Sequence, residues 1–326
     1  MMSDINSVLE KYKQKIFGIP GCTGIAIGYK EVKGEVIDEI SIVVFVAQKM
    51  NDVDSKNMIP KVLDGFTTDV VQKRVGLELM ATDPFARFSD VFSGISITPQ
   101  DTPPPWGTLG CIIHTTGNHN VPPGNYILTN QHVLWYADPN NPNSISRTVI
   151  QPGNTDDPLP PNYNCGDFVY GIKNVTSDCA IFSIDVTRNW ENEVPNHPWR
   201  PGRRELMGIA QAAVGDEVYK YGATTGSTRG VVRYINYNDP VLPIQNAIYI
   251  ANPDNTMWVA NGDSGSVLIR YADDFVVGLN FAADAHTMLN PDQHKTLPHD
   301  LPAFSAGYAY DIQSQMNIFG GVVTLA

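Results

Sequence analysis

Three short runs in this chain hold side chains that could cooperate in breaking a bond. The most compact is Asn261-Gly262-Asp263-Ser264-Gly265-Ser266, a serine between two glycines with an acid before it and the apolar run Val267-Leu268-Ile269 behind it. Glycine permits backbone angles that a Cβ forbids, so this run can fold tightly with its amides turned inward. Two such N–H groups aimed at one point make an oxyanion hole, and the Ser264 hydroxyl beside them would be a nucleophile. By itself the run reads more simply as a turn, since Gly, Asp and Ser are ordinary turn residues. The second run, Tyr126 to Leu134, carries an apolar strand through Thr129-Asn130-Gln131 into His132. Alone, such a histidine reads as one that satisfies backbone groups at a strand end. In the third, Thr176 to Phe182, Asp178 opens an apolar strand and so sits at its mouth, where a turn aspartate is the simpler reading. Together the three meet a definite need. A serine hydroxyl is a poor nucleophile until a neutral imidazole takes its proton, and that imidazole needs an acceptor on its far nitrogen to fix the tautomer.

The elements around these runs must bring them together. From Gly107 onward, short strands follow one another at close intervals: Leu109 to His114, Tyr126 to Thr129, Thr148 to Gln151, Asp167 to Ile172, Cys179 to Ile184, Glu217 to Tyr221, Gly230 to Tyr234, Ala247 to Ala251, Ser266 to Tyr271 and Phe275 to Phe281. Strands without intervening helices predict a mainly β sandwich or pair of barrels, closed by a C-terminal helix over Ala309 to Ile318. Ahead of them, residues 3 to 16 predict a helix capped by Ser3 or Asp4, with Ile5, Val8, Leu9, Tyr12 and Ile16 on one face. Strands over Thr23 to Tyr29, Glu39 to Ala47 and Thr67 to Val71, the first two joined by a turn at Lys33-Gly34, complete a small α/β module. The expected organisation is therefore a module over residues 1–78, a linker over 79–105 ending in Pro103-Pro104-Pro105, and a β domain over 106–326.

Composition narrows the function classes. The 326 residues are 42% hydrophobic and 17% charged, as in a folded globular chain, with net charge -12. That balance, with no basic run, opposes nucleic acid and anionic membrane as partners. No apolar stretch is long enough to span a bilayer. No basic segment followed by an apolar run opens the chain, so a cytoplasmic location is expected. Cys22, Cys111, Cys165 and Cys179 are widely spaced without a CxxC, which fits reduced core cysteines. The acid and amide clusters Asp138 to Asn143 and Asp156-Asp157 lack the ligand spacing of a calcium loop and read as turns. His286, His294 and His299 read as exposed residues of an inserted surface loop. No metal or cofactor is expected.

In combination, the His132 run, the Asp178 run and Asn261 to Ser266 resemble the three signatures of trypsin-like (chymotrypsin-fold) serine peptidases, in the family's order His, Asp, Ser. Gly107-Thr108-Leu109-Gly110, Ile150-Gln151-Pro152-Gly153 and Gly222 to Gly230 resemble the bacterial branch that carries an N-terminal α/β extension. So does the N-terminal pattern Val44-Phe45-Val46, Ile59-Pro60-Lys61, Asp64-Gly65 and Thr68 to Val71. The resemblance implies a serine endopeptidase with two six-stranded antiparallel β-barrels. Ser264 would be nucleophile, His132 general base then acid, and Asp178 the acid that orients it. The backbone N–H groups of Gly262 and Ser264 would form the oxyanion hole, and the segment Asn189 to Gly202 would bridge the barrels. It further implies that the pocket for the residue before the scissile bond is walled by Met257, Trp258, Val259, Ala260, Asn280, Phe281 and Ala282. With no acid among these, the expected preference is a medium apolar or small polar side chain. The expected partner is a protein or peptide substrate, with an activating partner at the N-terminal module as a further expectation. A catalytically idle or partner-activated peptide-binding module is the alternative.

Two departures stand out. Gly265-Ser266 replaces the family's pair of glycines, and no Ile-Val-Gly-Gly-like N-terminus follows a basic cleavage site. Asp263 therefore lacks the ammonium that animal relatives create on activation. Either an internal Arg or Lys pairs with it, or the loop waits for an allosteric trigger.

Overall fold

The computed structural model of the chain describes residues 2–32, 35–46, 49, 53–72, 85–100, 106–144, 146–153, 163–195, 203–239, 244–295, 297, 301–320 and 322–326. The Lys33-Gly34 turn, the proline run at 103–105, Asp156-Asp157, His299 and the 196–202 part of the bridging segment lie outside them. The chain divides into two compact units, Met1–Leu79 and Met80–Ala326.

In the first unit, helix α1 (Met2–Phe17) is followed by strands β1 (Cys22–Val32), β2 (Glu35–Val46), β3 (Val62–Leu63) and β4 (Phe66–Gln72), in the order β1-β2-β4-β3. The helical spacing of Ile5, Val8, Tyr12 and Ile16 places one apolar face against Ile25, Ile27, Ile42, Val44 and Leu63 of the sheet. The side chains of Ser3 and Asp4, the expected caps, are not among those described.

The second unit is mainly β. Its first sheet draws on β5 (Ser96–Pro99), β6 (Gly107–Thr108), β7 (Cys111–Thr115), β8 (Gly124–Thr129), β9 (Thr148–Ile150), β10 (Asn164–Asn174) and β11 (Ser177–Ser183). Its second draws on β12 (Gly208–Ile209), β13 (Glu217–Gly222), β14 (Gly226–Asp239), β15 (Ile244–Ala251), β16 (Val267–Arg270), β17 (Phe275–Ala283) and β18 (Ala306–Asp311). Helix α2 (Ile312–Met316) and strand β19 (Val323–Leu325) end the chain, the latter returning to pair with β7 in the first sheet. The second sheet closes on itself, β17-β16-β13-β14-β15-β18 and back to β17. The first is an eight-stranded sheet running β19-β7-β8-β11-β10-β9-β5-β6. This is the expected chymotrypsin-like double-barrel class, with one closed barrel and one open sheet in place of two equal six-stranded barrels.

Strands β8, β11, β16 and β17 read as nearly continuous apolar runs because both of their faces are largely buried. Ile112, Ile127, Ala180 and Phe182 fill the interior of the first sheet, while their neighbours Ile113, Leu128 and Ile181 meet Tyr219, Val267, Ile269 and Leu279 of the second sheet in a shared core. Alternation along each strand therefore feeds two cores. The opposite face of the second barrel is filled by Val218, Val232, Ile250, Trp258 and Leu268.

Two boundaries differ from expectation. From residue 85 the expected linker belongs to the β unit: Ile95 and Ile97 have no exposed surface, and β5 pairs with β9. The expected helix at Ala309 begins only at Ile312, because Ala306–Asp311 pairs with both β15 and β17 and closes the barrel. Tertiary pairing outweighs local propensity there. The Asp311 side chain then caps α2 by accepting from the Ser314 N–H at 2.9 Å.

Candidate active site

His132 lies just beyond β8, in the turn Gln131 to Leu134 that the apolar strand ends in. The buried Asn130 ahead of it donates from Nδ2 to the Asp178 carbonyl at 2.6 Å, tying the histidine turn to β11. Behind it, Gln131 donates from Nε2 to Asp138 at 3.2 Å. The Asp138 cluster is thus a hydrogen-bonded turn, its other carboxylate oxygen accepting from Asn140.

Asp178 is the second residue of β11 and is nearly buried, its side chain 4% exposed. Its Oδ2 meets His132 Nδ1 at 2.7 Å, and its Oδ1 accepts the His132 backbone N–H at 3.1 Å. Burial pulls the carboxyl's pKa up. The His132 hydrogen bonds and the positive charges of His132 and Lys173 outweigh that and hold it below the usual carboxylate range. The Asp178 N–H is answered from α2 by Gln315 Oε1 at 3.2 Å. A carboxylate seated in this way fixes the ring, its tautomer and its orientation, which leaves Nε2 to accept a proton.

Ser264 comes from the second barrel's side of the cleft, in the loop before β16. Gly262 and Gly265 both adopt φ 94°. A Cβ on Gly262 would collide with Thr224 and Trp106, and one on Gly265 with Thr129 and the Thr108 carbonyl, so both positions demand glycine. Thr108 clamps the loop across the barrels, its N–H donating to the Ser264 carbonyl and its hydroxyl to the Gly262 carbonyl, both at 2.8 Å. Among the described residues, the N–H groups of Gly262 and Ser264 have no acceptor. The Ser264 hydroxyl donates to the Phe281 carbonyl at 3.4 Å rather than to His132.

Asp263 answers the question that the sequence leaves open. It pairs with Lys220 of β13 at 2.8 Å, with no exposed surface on either side chain. Its Oδ1 also accepts the Thr224 and Thr225 N–H groups at 3.0 Å, and its Oδ2 the Thr225 hydroxyl at 2.7 Å and the Ala260 N–H at 3.1 Å. Burial lowers the Lys220 pKa, opposed by the charge and hydrogen bond of Asp263. The internal cation is present and the loop needs no trigger to pair its acid. Lys220 leaves a signal in the sequence: it is a lysine within the buried run Val218 to Tyr221, where an unpaired charge is prohibitive.

His132 and Ser264 line the same two cavities. One, of about 830 Å³, is bounded by Trp106, Trp135, Lys173 and Gly262. The other, of about 360 Å³, is lined by Val259, Ala260, Asn280, Phe281 and Ala282 of the expected substrate pocket, with Ala285 and Phe304 in addition. Trp258 is a correction. It does not line the pocket but is fully buried in the second barrel, its ring 5.4 Å from the Lys220 ammonium. Its backbone N–H donates to the Phe304 carbonyl and its backbone carbonyl accepts from the Thr228 hydroxyl, each at 2.8 Å, which anchors the backbone with the side chain on the inner face. Met257 likewise packs against Ala260, Leu289 and Leu297 and is absent from the lining. His286 is exposed as expected, whereas His294 is half-buried, its Nδ1 lying 2.7 Å from the Lys295 carbonyl.

No protein-family model matches the chain. Over 300 residues it is 25% identical to Protein NARROW LEAF 1 of Oryza sativa subsp. japonica, covering 77% of this chain and 48% of that protein. The chain thus spans about half the length of its rice relative. Among solved structures, it is similar to a glutamic-acid-specific serine protease (17% identity, 72% of this chain and 100% of that one, TM-score 0.48). It is similar also to Nocardiopsis protease NAPase (15%, 71% and 96%, TM-score 0.48) and to Cellulomonas bogoriensis chymotrypsin (17%, 73% and 98%, TM-score 0.47). Among the described residues, no helix is long and apolar enough to cross a membrane.

Proposed function

We propose that the chain is a serine endopeptidase that works through an acyl-enzyme. The observation that carries this reading is the 2.7 Å bond between His132 Nδ1 and a nearly buried Asp178, in a cleft that Ser264 also lines. Ser264 Oγ attacks the scissile carbonyl while His132 Nε2 takes its proton. The developing oxyanion is met by the Gly262 and Ser264 amides, which have no other acceptor among the described residues. His132 then returns the proton to the leaving amine, and water repeats the sequence to free the acid. Asp178 stays ionised throughout and stabilises the imidazolium. The neutral lining of Val259, Ala260, Asn280, Phe281 and Ala282 favours a medium apolar or small polar side chain before the cleaved bond. Within this reading the chain groups with bacterial peptidases that have an N-terminal α/β extension, acts in the cytoplasm on proteins or peptides, and uses no cofactor.

A second reading, an idle or partner-activated peptide-binding module, draws support from the Ser264 hydroxyl bonding to Phe281 rather than to His132. Catalytic hydrogen bonds are often loose in unliganded sites, which favours the first reading. Labelling by a fluorophosphonate separates them. Wild type alone should label at Ser264, and Ser264→Ala should abolish both labelling and peptide turnover while leaving the circular dichroism unchanged. Folded wild type that labels only with a partner present, or not at all, would move the conclusion to the second reading.

A further inference from the structure

Asp178 has another partner besides His132. Lys173, on β10, stands directly across the ladder from it, and the Lys173 ammonium lies 3.4 Å from Asp178 Oδ2. That is the same oxygen that meets His132 Nδ1 at 2.7 Å. Lys173 is 56% exposed and borders both the 830 Å³ cavity and a 440 Å³ one on the other side of His132. It is the one Lys or Arg among the described residues that line these two cavities.

We propose that Lys173 is a positioning residue that shares Asp178 Oδ2 with His132 and thereby sets the pH below which His132 stops acting as a base. The inference rests on the reading of His132 as that base. Both nitrogens reach one oxygen, so they lie within about 6 Å of each other. When the imidazole gains a proton, two cations compete for a single carboxylate oxygen. The ammonium thus disfavours the imidazolium and keeps His132 neutral, and the site armed, to lower pH.

The other groups around His132 do not take this role. The Tyr310 phenol of β18 is pushed up to about 12 by burial and by the charge of Asp178, and stays neutral. The Asp138 carboxylate, in the turn after the histidine, is engaged by Gln131 and Asn140. Ser264 carries no charge in its resting state. Among the described residues, Lys173 is therefore the one fixed positive charge on the pair. At the dielectric of a half-exposed site its removal should raise the His132 midpoint by about 0.5 to 1 pH unit.

The test is a nitrogen-15 NMR titration of His132 in the full chain, its signal identified from His132→Gln, for wild type, Lys173→Met and Lys173→Arg. In parallel, the rate of fluorophosphonate labelling is followed against pH. Lys173→Met should raise the His132 midpoint by about 0.5 to 1 unit and shift the acid limb of labelling with it, so that labelling one unit below the wild-type midpoint falls roughly three- to tenfold. Lys173→Arg should return both to near wild type, and 0.5 M salt should narrow the gap between wild type and Lys173→Met. A loss that is merely structural would lower the plateau without moving the midpoint. A midpoint that stays within about 0.2 units in Lys173→Met overturns the inference. A shifted midpoint with no labelling at any pH upholds the coupling of Lys173 to His132 and defeats the peptidase reading instead.

Discussion

Lys220–Asp263 and Lys173–Asp178 are both lysine–aspartate pairs beside one cleft, with nitrogen–oxygen distances of 2.8 and 3.4 Å. The first has no exposed side-chain surface on either partner, whereas in the second the lysine is 56% exposed over a nearly buried acid. Removing both charges of the first pair from water is costly, and the cost is met because the carboxylate and ammonium find further partners in Thr224, Thr225 and Ala260. Such a pair holds one shape of the Asn261 to Ser266 loop. The second pair keeps its ammonium hydrated, so it contributes little to stability and can still bias the charge on His132. Depth in the structure, more than distance, separates a pair that fixes geometry from one that adjusts reactivity.

The contrast is most open to attack at Lys220. Lys220→Met strands the Asp263 anion in the interior and should cost about 3–5 kcal/mol in urea unfolding, with labelling at Ser264 lost. Unchanged stability would mean that the pair does not hold the loop. A smaller effect is expected from Thr225→Val, which removes the hydroxyl bonded to both partners, at 2.8 Å to Lys220 and 2.7 Å to Asp263. The loss should be about 1–3 kcal/mol by the same method, as for other unsatisfied buried polar groups. The smallest belongs to Lys173→Met, which should change unfolding stability by less than about 1 kcal/mol. A loss as large as that of Lys220→Met would erase the distinction between the two pairs.

The candidate triad was legible because each member carries a local signature: an apolar strand ending in Asn130-Gln131-His132, an acid at the mouth of Cys179 to Phe182, and a serine between glycines. The strands were legible for a related reason, since β-branched and aromatic runs bounded by turn residues mark them wherever they pair. Ala309 to Asp311 was not legible as strand. Its sequence, Ala-Tyr-Asp, favours no state strongly, and it is strand because β15 and β17 both pair with it. Trp258 misled for a different reason. The family resemblance implied that it walls the pocket, yet its backbone N–H pairs with the Phe304 carbonyl and its ring is fully buried in the barrel.

The sequence by itself determined which side chains could attack, accept a proton and orient, because those abilities belong to residue types and to the glycines around them. The resemblance to the peptidase family added that Asp263 must find a cation within the chain or wait for a trigger. Only the tertiary structure decided that Lys220 is that cation and that Lys173 shares Asp178 with His132. Lys220 shows in the sequence only as a charge within an apolar run and Lys173 not even as that, and the acid that each one meets lies outside its own strand. A charge pair is chosen by where two chain segments meet and how much water is left between them, and local sequence records neither.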